Sequence, residues 1–234
     1  MTEKSREYHR AVDYLCSLIE SGEITEGQKL PSERSIAETL SISRNSIREA
    51  LRSLENMGVV ESRVGSGSYL SCNASETISE TIEMMLLIKR TNRSEVCSFR
   101  RNMEKAVCRE IIDSGSFSRW EPKISAVLHK SDNAAGNCEL VLLDEEFHFL
   151  LVKATENSLW ITILDAVAKI YRRWINKALS NAAEDVKGQL KNAHRLIVKA
   201  IGEGDFAACC RAIDYHYDIA DRELSKLEME RRIK

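Results

Sequence analysis

The sequence predicts a mostly α-helical chain in two parts, a mixed first region with helices and a small β-hairpin, then an all-α antiparallel bundle. Two observations carry this. Five of the ten glycines and one of the two prolines fall within residues 1–72, whereas the remaining residues repeat apolar positions at helical spacing. Between them the stretch CNASE is small and polar, so the expected boundaries are 1–72, a linker at 73–78, and a helical region at 79–234.

Composition narrows the classes. The 234 residues carry 34 Lys+Arg against 36 Asp+Glu, a net charge of −2, and 43% are hydrophobic, enough for a packed core. The longest apolar run, residues 84–88, is far short of a membrane span. The opening MTEKSREYHR has no apolar stretch, so no signal peptide is expected. Seven cysteines without a C-x-x-C pair argue against a disulfide framework or a thiolate zinc site. The expectation is a soluble, reduced, cytoplasmic protein with no membrane partner.

In the first region, Val12, Leu15, Cys16 and Ile19 mark a helix over about residues 5–21, stopped by Ser21-Gly22. Leu30-Pro31-Ser32 opens a short second helix with Ile36, Ala37 and Leu40 inward. After the Ser41-Ile42 turn, Ser43 is the expected cap of a third helix ending at Met57, with Gly58 following. Ile47, Ala50, Leu51 and Leu54 fall on one face of it, leaving Arg44, Asn45, Arg48 and Arg52 on the other. Two helices joined by a tight turn, the second exposing arginines near its start, form a helix-turn-helix. Such a helix end suits phosphate, and arginine forks onto guanine edges. Two β-prone runs around Val64-Gly65-Ser66-Gly67 add a hairpin in the place of a wing. A helix exposing three arginines also describes an ordinary solvated face, and residues 1–72 are net acidic, so pattern alone leaves both readings open.

The segment LPSERSIAETLSISRNSIREALRSLENMGVVESRVGSGSYL resembles the winged-helix signature of GntR-family bacterial transcription regulators. The resemblance implies that Arg34, Arg44 and Arg48 contact double-stranded operator DNA. It puts Ser43 and Asn45 at the base-reading end, and Gly65, Ser66 and Gly67 near the minor groove. Asn45-Ser46 departs from the Thr-Pro of many members, and Ser66 from a frequent basic or polar wing residue.

The second region reads as about seven helices, near 76–91, 94–113, 118–132, 138–155, 158–180, 183–202 and 205–230, joined by short polar turns. Asp144 and His148 are spaced i, i+4, so they share a helix face. His194 and His216 flank the turn at 202–205, roughly 14 and 18 Å back along antiparallel helices, so they can lie at similar height. One carboxylate and three imidazoles suit a divalent ion, zinc first, with nickel, manganese or iron as alternatives. His9 and His129 have no partner at helical spacing and read as structural. A di-iron bundle would need a second Glu-x-x-His beside Glu145-x-x-His148, and Lys191 and Ile213 stand where it would be.

From about residue 79 the chain is similar to the FCD ligand-binding domain of the FadR subfamily, on Arg100 with Glu104, DEEFHFLLVKATEN and NAHRLIVKAIGEGDFAACCRAIDYHY. The resemblance implies that Asp144, His148, His194 and His216 bind a divalent ion and that Arg100 faces an effector opposite it. A metal and a guanidinium across one pocket suit a small organic acid. Asn157 matches a family position with an expected turn or cap role. The function expected is a homodimeric repressor on a palindromic operator, answering to that acid. A metalloenzyme fused to a DNA-binding head is the alternative. It lacks an evident general base, since the i+1 neighbours Glu145 and Glu146 are expected to point away from the Asp144/His148 face. A purely structural metal stays open.

Overall fold

The computed structural model describes residues 3–71, 73–134, 136–179 and 182–233. Cys72, Ser180 and Lys234, where sequence patterns set three boundaries, lie outside them. The chain divides into two compact units, Met1–Glu80 and Thr81–Lys234.

In the first unit α1 (Glu3–Glu20), α2 (Glu33–Leu40) and α3 (Arg44–Asn56) precede an antiparallel hairpin of β1 (Val60–Arg63) and β2 (Gly67–Leu70). Leu15, Ile36, Ile47, Ala50 and Leu54 close its core. The caps are those the sequence encodes. Ser32 Oγ accepts from Ser35 N at 3.1 Å, and Ser43 Oγ from Ser46 N at 3.2 Å. Helix α3 ends in a Schellman arrangement: Gly58 N donates to Glu55 O and Val59 N to Leu54 O, both at 2.9 Å, with Gly58 at φ +73°. Gly58 is required twice over, because a Cβ there would lie 2.7 Å from Thr77 Oγ1. The strands pair from Val60↔Leu70 to Arg63↔Gly67. Gly65 (φ +72°) and Gly67 (φ +107°) supply the left-handed backbone that turns the hairpin.

Helix α4 (Ala74–Leu87) contains the division between the units. The polar stretch 73–78, expected as a linker, is therefore helical from Ala74. Ser, Thr and Glu in that stretch are compatible with a helical first turn, and polarity alone does not distinguish the two.

The second unit holds α5 (Arg93–Ser114), α6 (Phe117–Asn133), α7 (Asn137–Ala154), α8 (Ser158–Leu179), α9 (Glu184–Gly202) and α10 (Phe206–Ile233). Each lies within a few residues of its sequence-predicted span. A capping box between Asn92 and Glu95 starts α5, and Gly115 at φ +66° ends it. Asn157 Oδ1 accepts from Leu159 N and Trp160 N, which makes it the cap of α8. Helix α5 packs against α7, α8, α9 and α10. Val107, Cys108, Ile111, Phe147, Leu151, Ile197 and Ile213 form the centre of this core, each fully buried.

Candidate metal centre and nucleic-acid interface

Three helices bring the predicted quartet together. Asp144 and His148 project from one face of α7, His194 from α9 and His216 from α10. One donor atom from each lies within 4.8 Å of all the others. The three histidines are buried, at 6%, 4% and 3% exposure. Phe147 stacks on the His194 ring at 4.2 Å and walls the group from the side.

Two contacts bear on what this quartet could hold. His148 Nε2 lies 3.1 Å from His216 Nε2, and His194 Nε2 lies 3.2 Å from Asp144 Oδ1 but off the line of a hydrogen bond. Bonds of about 2.1 Å to one ion place neighbouring nitrogens about 3.0–3.4 Å apart. His194 Nε2, 3.2 Å from Asp144 Oδ1, is buried without a hydrogen-bond partner among the described residues. An orphaned buried polar atom costs about 1–3 kcal/mol, so it calls for a partner. The donor set, one anionic oxygen with imidazole nitrogens, fits a divalent cation.

Protonation agrees with that fit. Burial and the neighbouring imidazoles hold His216 well below the usual histidine range, and burial lowers His194 despite Asp144. Both therefore keep a free lone pair at neutral pH. Burial opposes ionisation of Asp144, but His148 and His194 hold its carboxyl well below the usual range. His148 differs. Burial disfavours its charge, yet Glu104 and Asp144 raise it to about 9.

Glu104, from α5, is the residue whose role sequence reasoning missed. Its Oε1 lies 2.6 Å from His148 Nδ1, and its Oε2 accepts from the Tyr217 hydroxyl at 2.6 Å. Burial works against its charge, but His148 and Arg100 lower its pKa to about 2. A carboxylate on the far nitrogen of a ligating histidine fixes the ring and its tautomer. The only sequence signal was its spacing from Arg100, one helical turn earlier.

Arg100 is itself buried at 7% exposure, with its guanidinium 4.1 Å from the centre of the Tyr171 ring. It borders a cavity of about 280 Å³ together with Asp144 and His148, so the expected metal and cation groups share one chamber. Arg172, which sequence reasoning passed over, borders it too, its Nε 2.7 Å from Glu145 Oε1. Glu145 and Glu146 also line this cavity, which corrects the expectation that they point away. The chamber lies between α5, α7 and α8 and takes in a wide arc of α7, so residues 100° apart on the helix both reach it.

In the first unit, Arg34, Arg44, Asn45 and Arg48 are all exposed. Glu33 Oε2 lies 2.8 Å from Arg48 Nε and 3.6 Å from Arg44 Nη2, while Arg34 pairs with Glu38 at 2.8 Å. Ser43 caps α3, and its hydroxyl also meets that of Ser46 at 2.9 Å. Gly65, Ser66 and Gly67 are exposed at the hairpin turn. Of the histidines expected to be structural, His9 bonds Ser5 O within α1 at 2.6 Å.

Comparison with known proteins agrees over both units. Residues 7–70 match the family described as bacterial regulatory proteins, gntR family, and residues 95–219 match the FCD domain. The HTH-type transcriptional regulator LutR of Bacillus subtilis is 27% identical over 212 residues, covering 89% of this chain and 96% of that protein. The HTH-type transcriptional repressor NanR of Enterobacter sp. (strain 638) is 25% identical over 206 residues, 85% of this chain and 78% of its own. A solved structure, Streptococcus agalactiae GntR, superposes with a TM-score of 0.64 at 25% identity, over 92% of this chain and 99% of that one. These families and relatives are regulators and not enzymes. No described helix is long and apolar enough to cross a membrane. With a winged helix-turn-helix ahead of an FCD domain, the chain belongs to the GntR family of DNA-binding transcription regulators.

Proposed function

We propose that this regulator is a cytoplasmic repressor that binds a palindromic operator as a homodimer and responds to a small organic acid held beside a divalent ion, zinc first. The observation that carries the reading is the buried quartet Asp144, His148, His194 and His216, two of whose members, Asp144 and His148, line the same 280 Å³ cavity as buried Arg100. The ion supplies a Lewis-acidic point for carboxylate or hydroxyl oxygens. Arg100 forks to an oxygen pair and, stacked on Tyr171, is held in orientation. The name of the NanR relative supports the repressor assignment.

At the DNA, Arg44, Asn45 and Arg48 read bases from α3, and Arg34 holds phosphate. Ser43 serves by capping α3 and orienting its N-terminus, and the wing at Gly65, Ser66 and Gly67 lies along the minor groove. A two-fold protein then matches a two-fold operator.

Two experiments test this. Gel shift on DNA upstream of its own gene is expected to give a specific complex that Arg44→Ala with Arg48→Ala abolishes. Specific binding that survives both changes overturns the recognition assignment. Thermal melting with a panel of small organic acids is expected to show a shift that chelation removes and metal restores. Chelation that lowers the melt while no acid raises it would make the ion a structural staple.

A further inference from the structure

The cavity is charged unevenly from floor to mouth. On its buried side stands Arg100, with Asp144 and His148 of the quartet in the same lining. Glu104 and Asp144, though carboxylates, are committed there to His148, Tyr217 and the metal site. The mouth is different. Glu145, Glu146 and Asp165 stand around Arg172, the one basic residue of the lining besides Arg100 and His148. Arg172 is 46% exposed and already engaged by Glu145 at 2.7 Å. Asp165 has Lys169 at 3.3 Å, and Glu146 is exposed. The apolar part of the lining is buried as well, with Val152, Leu164 and Ile175.

An anion entering this chamber finds its counter-charge only at the inner end. A second negative group at the outer end meets three carboxylates against one guanidinium and one ammonium, each already paired, and the excess of like charge repels it. The same carboxylates offer oxygen acceptors, so they favour a ligand that donates. Glu145 Oε1 sharpens this point. It is buried and makes no hydrogen bond among the described residues, since the nearby Arg172 Nε is not aligned on it.

We propose, building on the reading of this cavity as the effector site, that the effector is a monocarboxylate whose far end donates hydrogen bonds through hydroxyl or ammonium groups, and that dicarboxylates are rejected. The carboxylate lies against Arg100 and the metal quartet, the carbon chain runs along Val152, Leu164 and Ile175, and the donors face Glu145, Glu146 and Asp165. Specificity arises at the mouth, by repulsion of the wrong ligand as much as by attraction of the right one.

Calorimetric titration of the metal-loaded, full-length protein with four acids of similar length tests this. The probes are gluconate (hydroxyl donors), 5-aminopentanoate (an ammonium donor), glutarate (a second carboxylate) and pentanoate (neither). At least one donor acid is expected to bind ten-fold or more tightly than both glutarate and pentanoate. Added salt separates the two sources, weakening the advantage of 5-aminopentanoate over pentanoate but not that of gluconate. Glu146→Lys, at an exposed position, is expected to move the ranking toward glutarate. Glutarate or pentanoate binding as tightly as the donor acids overturns the class while the effector-site reading stands. Binding by none of the four overturns both.

Discussion

Replacing Glu104 by Gln separates two effects that the wild-type carboxylate combines. Glu104 holds His148 by its Nδ1 at 2.6 Å and, with Asp144, raises that imidazole to about 9. A metal arriving at pH 7 must therefore expel a proton, and two pH units of competition lower the apparent affinity about 100-fold. In the Gln variant the pull of Glu104 is gone while Asp144 and burial still oppose each other, so the pKa of His148 falls and this competition weakens. Yet the variant also loses the carboxylate that orients and enriches the ligand, a change worth about 10–100-fold in metal affinity. At pH 7 the two effects oppose, and the net change is expected to stay within about tenfold. Near pH 9.5 proton competition in the wild type is almost gone, and the variant should be weaker by the full 10–100-fold, about 1.4–2.7 kcal/mol. Competition against a chromophoric chelator across this range reads both. Wild-type affinity should climb about tenfold per pH unit from 7 to 9, whereas the variant should climb over a smaller span of pH. The sign for the metal-free protein is opposite. His148 has a raised folded-state pKa, so its contribution to stability is complete below about 6.5 and is lost as pH rises through about 9. Parallel curves for the two proteins at every pH would refute the assignment of Glu104 as the group that controls His148.

Glu33 pairs with both Arg44 and Arg48, the arginines proposed to read the operator, so Glu33→Gln should strengthen binding to random-sequence DNA by a few-fold and narrow the gap to operator DNA. Fluorescence anisotropy on both duplexes checks it, and an unchanged ratio counts against any restraint by Glu33. Gly58→Ala should destabilise the first unit by about 2–4 kcal/mol, combining left-handed strain with overlap against Thr77 and Asn73. Gly22→Ala, with a similar φ but open space around its Cβ, should lose only about 1 kcal/mol, and equal urea midpoints would show that the overlap relaxes freely. On the proposed site, where Arg100, Asp144 and His148 line one cavity, a bound acid that lowers the metal dissociation constant by some factor must find its own lowered by the same factor. Paired titrations measure both, and an acid whose affinity ignores the metal binds elsewhere.

Local physics explains which parts of this structure were legible beforehand. Helix boundaries were readable because apolar periodicity and caps such as Ser32, Ser43 and Gly58 act within a few residues of each other. Asp144 and His148 were readable as a pair because four residues make one helical turn. His194 and His216 were readable as a pair because a short turn sets the register of α9 against α10. Joining the two pairs drew on the family resemblance, since nothing local ties α7 to α9. Glu104 lies 44 residues from His148, and helix packing alone brings them together. Arg172 was hidden for the same reason. The misreading of Glu145 had another origin: a helical wheel gives the direction of a side chain but not the width of the space it enters.

Within the second unit, the placement of Glu104 makes α5 the element through which the cavity and the quartet are joined. Arg100 and Glu104 are one turn apart on α5, the first facing the ligand chamber and the second holding His148. Helix α7 repeats the pattern, with Asp144 and His148 in the quartet and Glu145 at the cavity mouth, paired with Arg172 of α8. An acid that draws on Arg100 at one end and Glu145 at the other therefore bears on α5, α7 and α8 together. The core around these helices is close-packed, so it accommodates such a load by changing between discrete packings and not by local give. Binding energy reaches a second conformation only through a difference in affinity between the two. On the proposed effector site, a cavity whose walls come from three helices, with Glu104 of α5 bonded to the quartet that α7 helps to form, is where such a difference would arise.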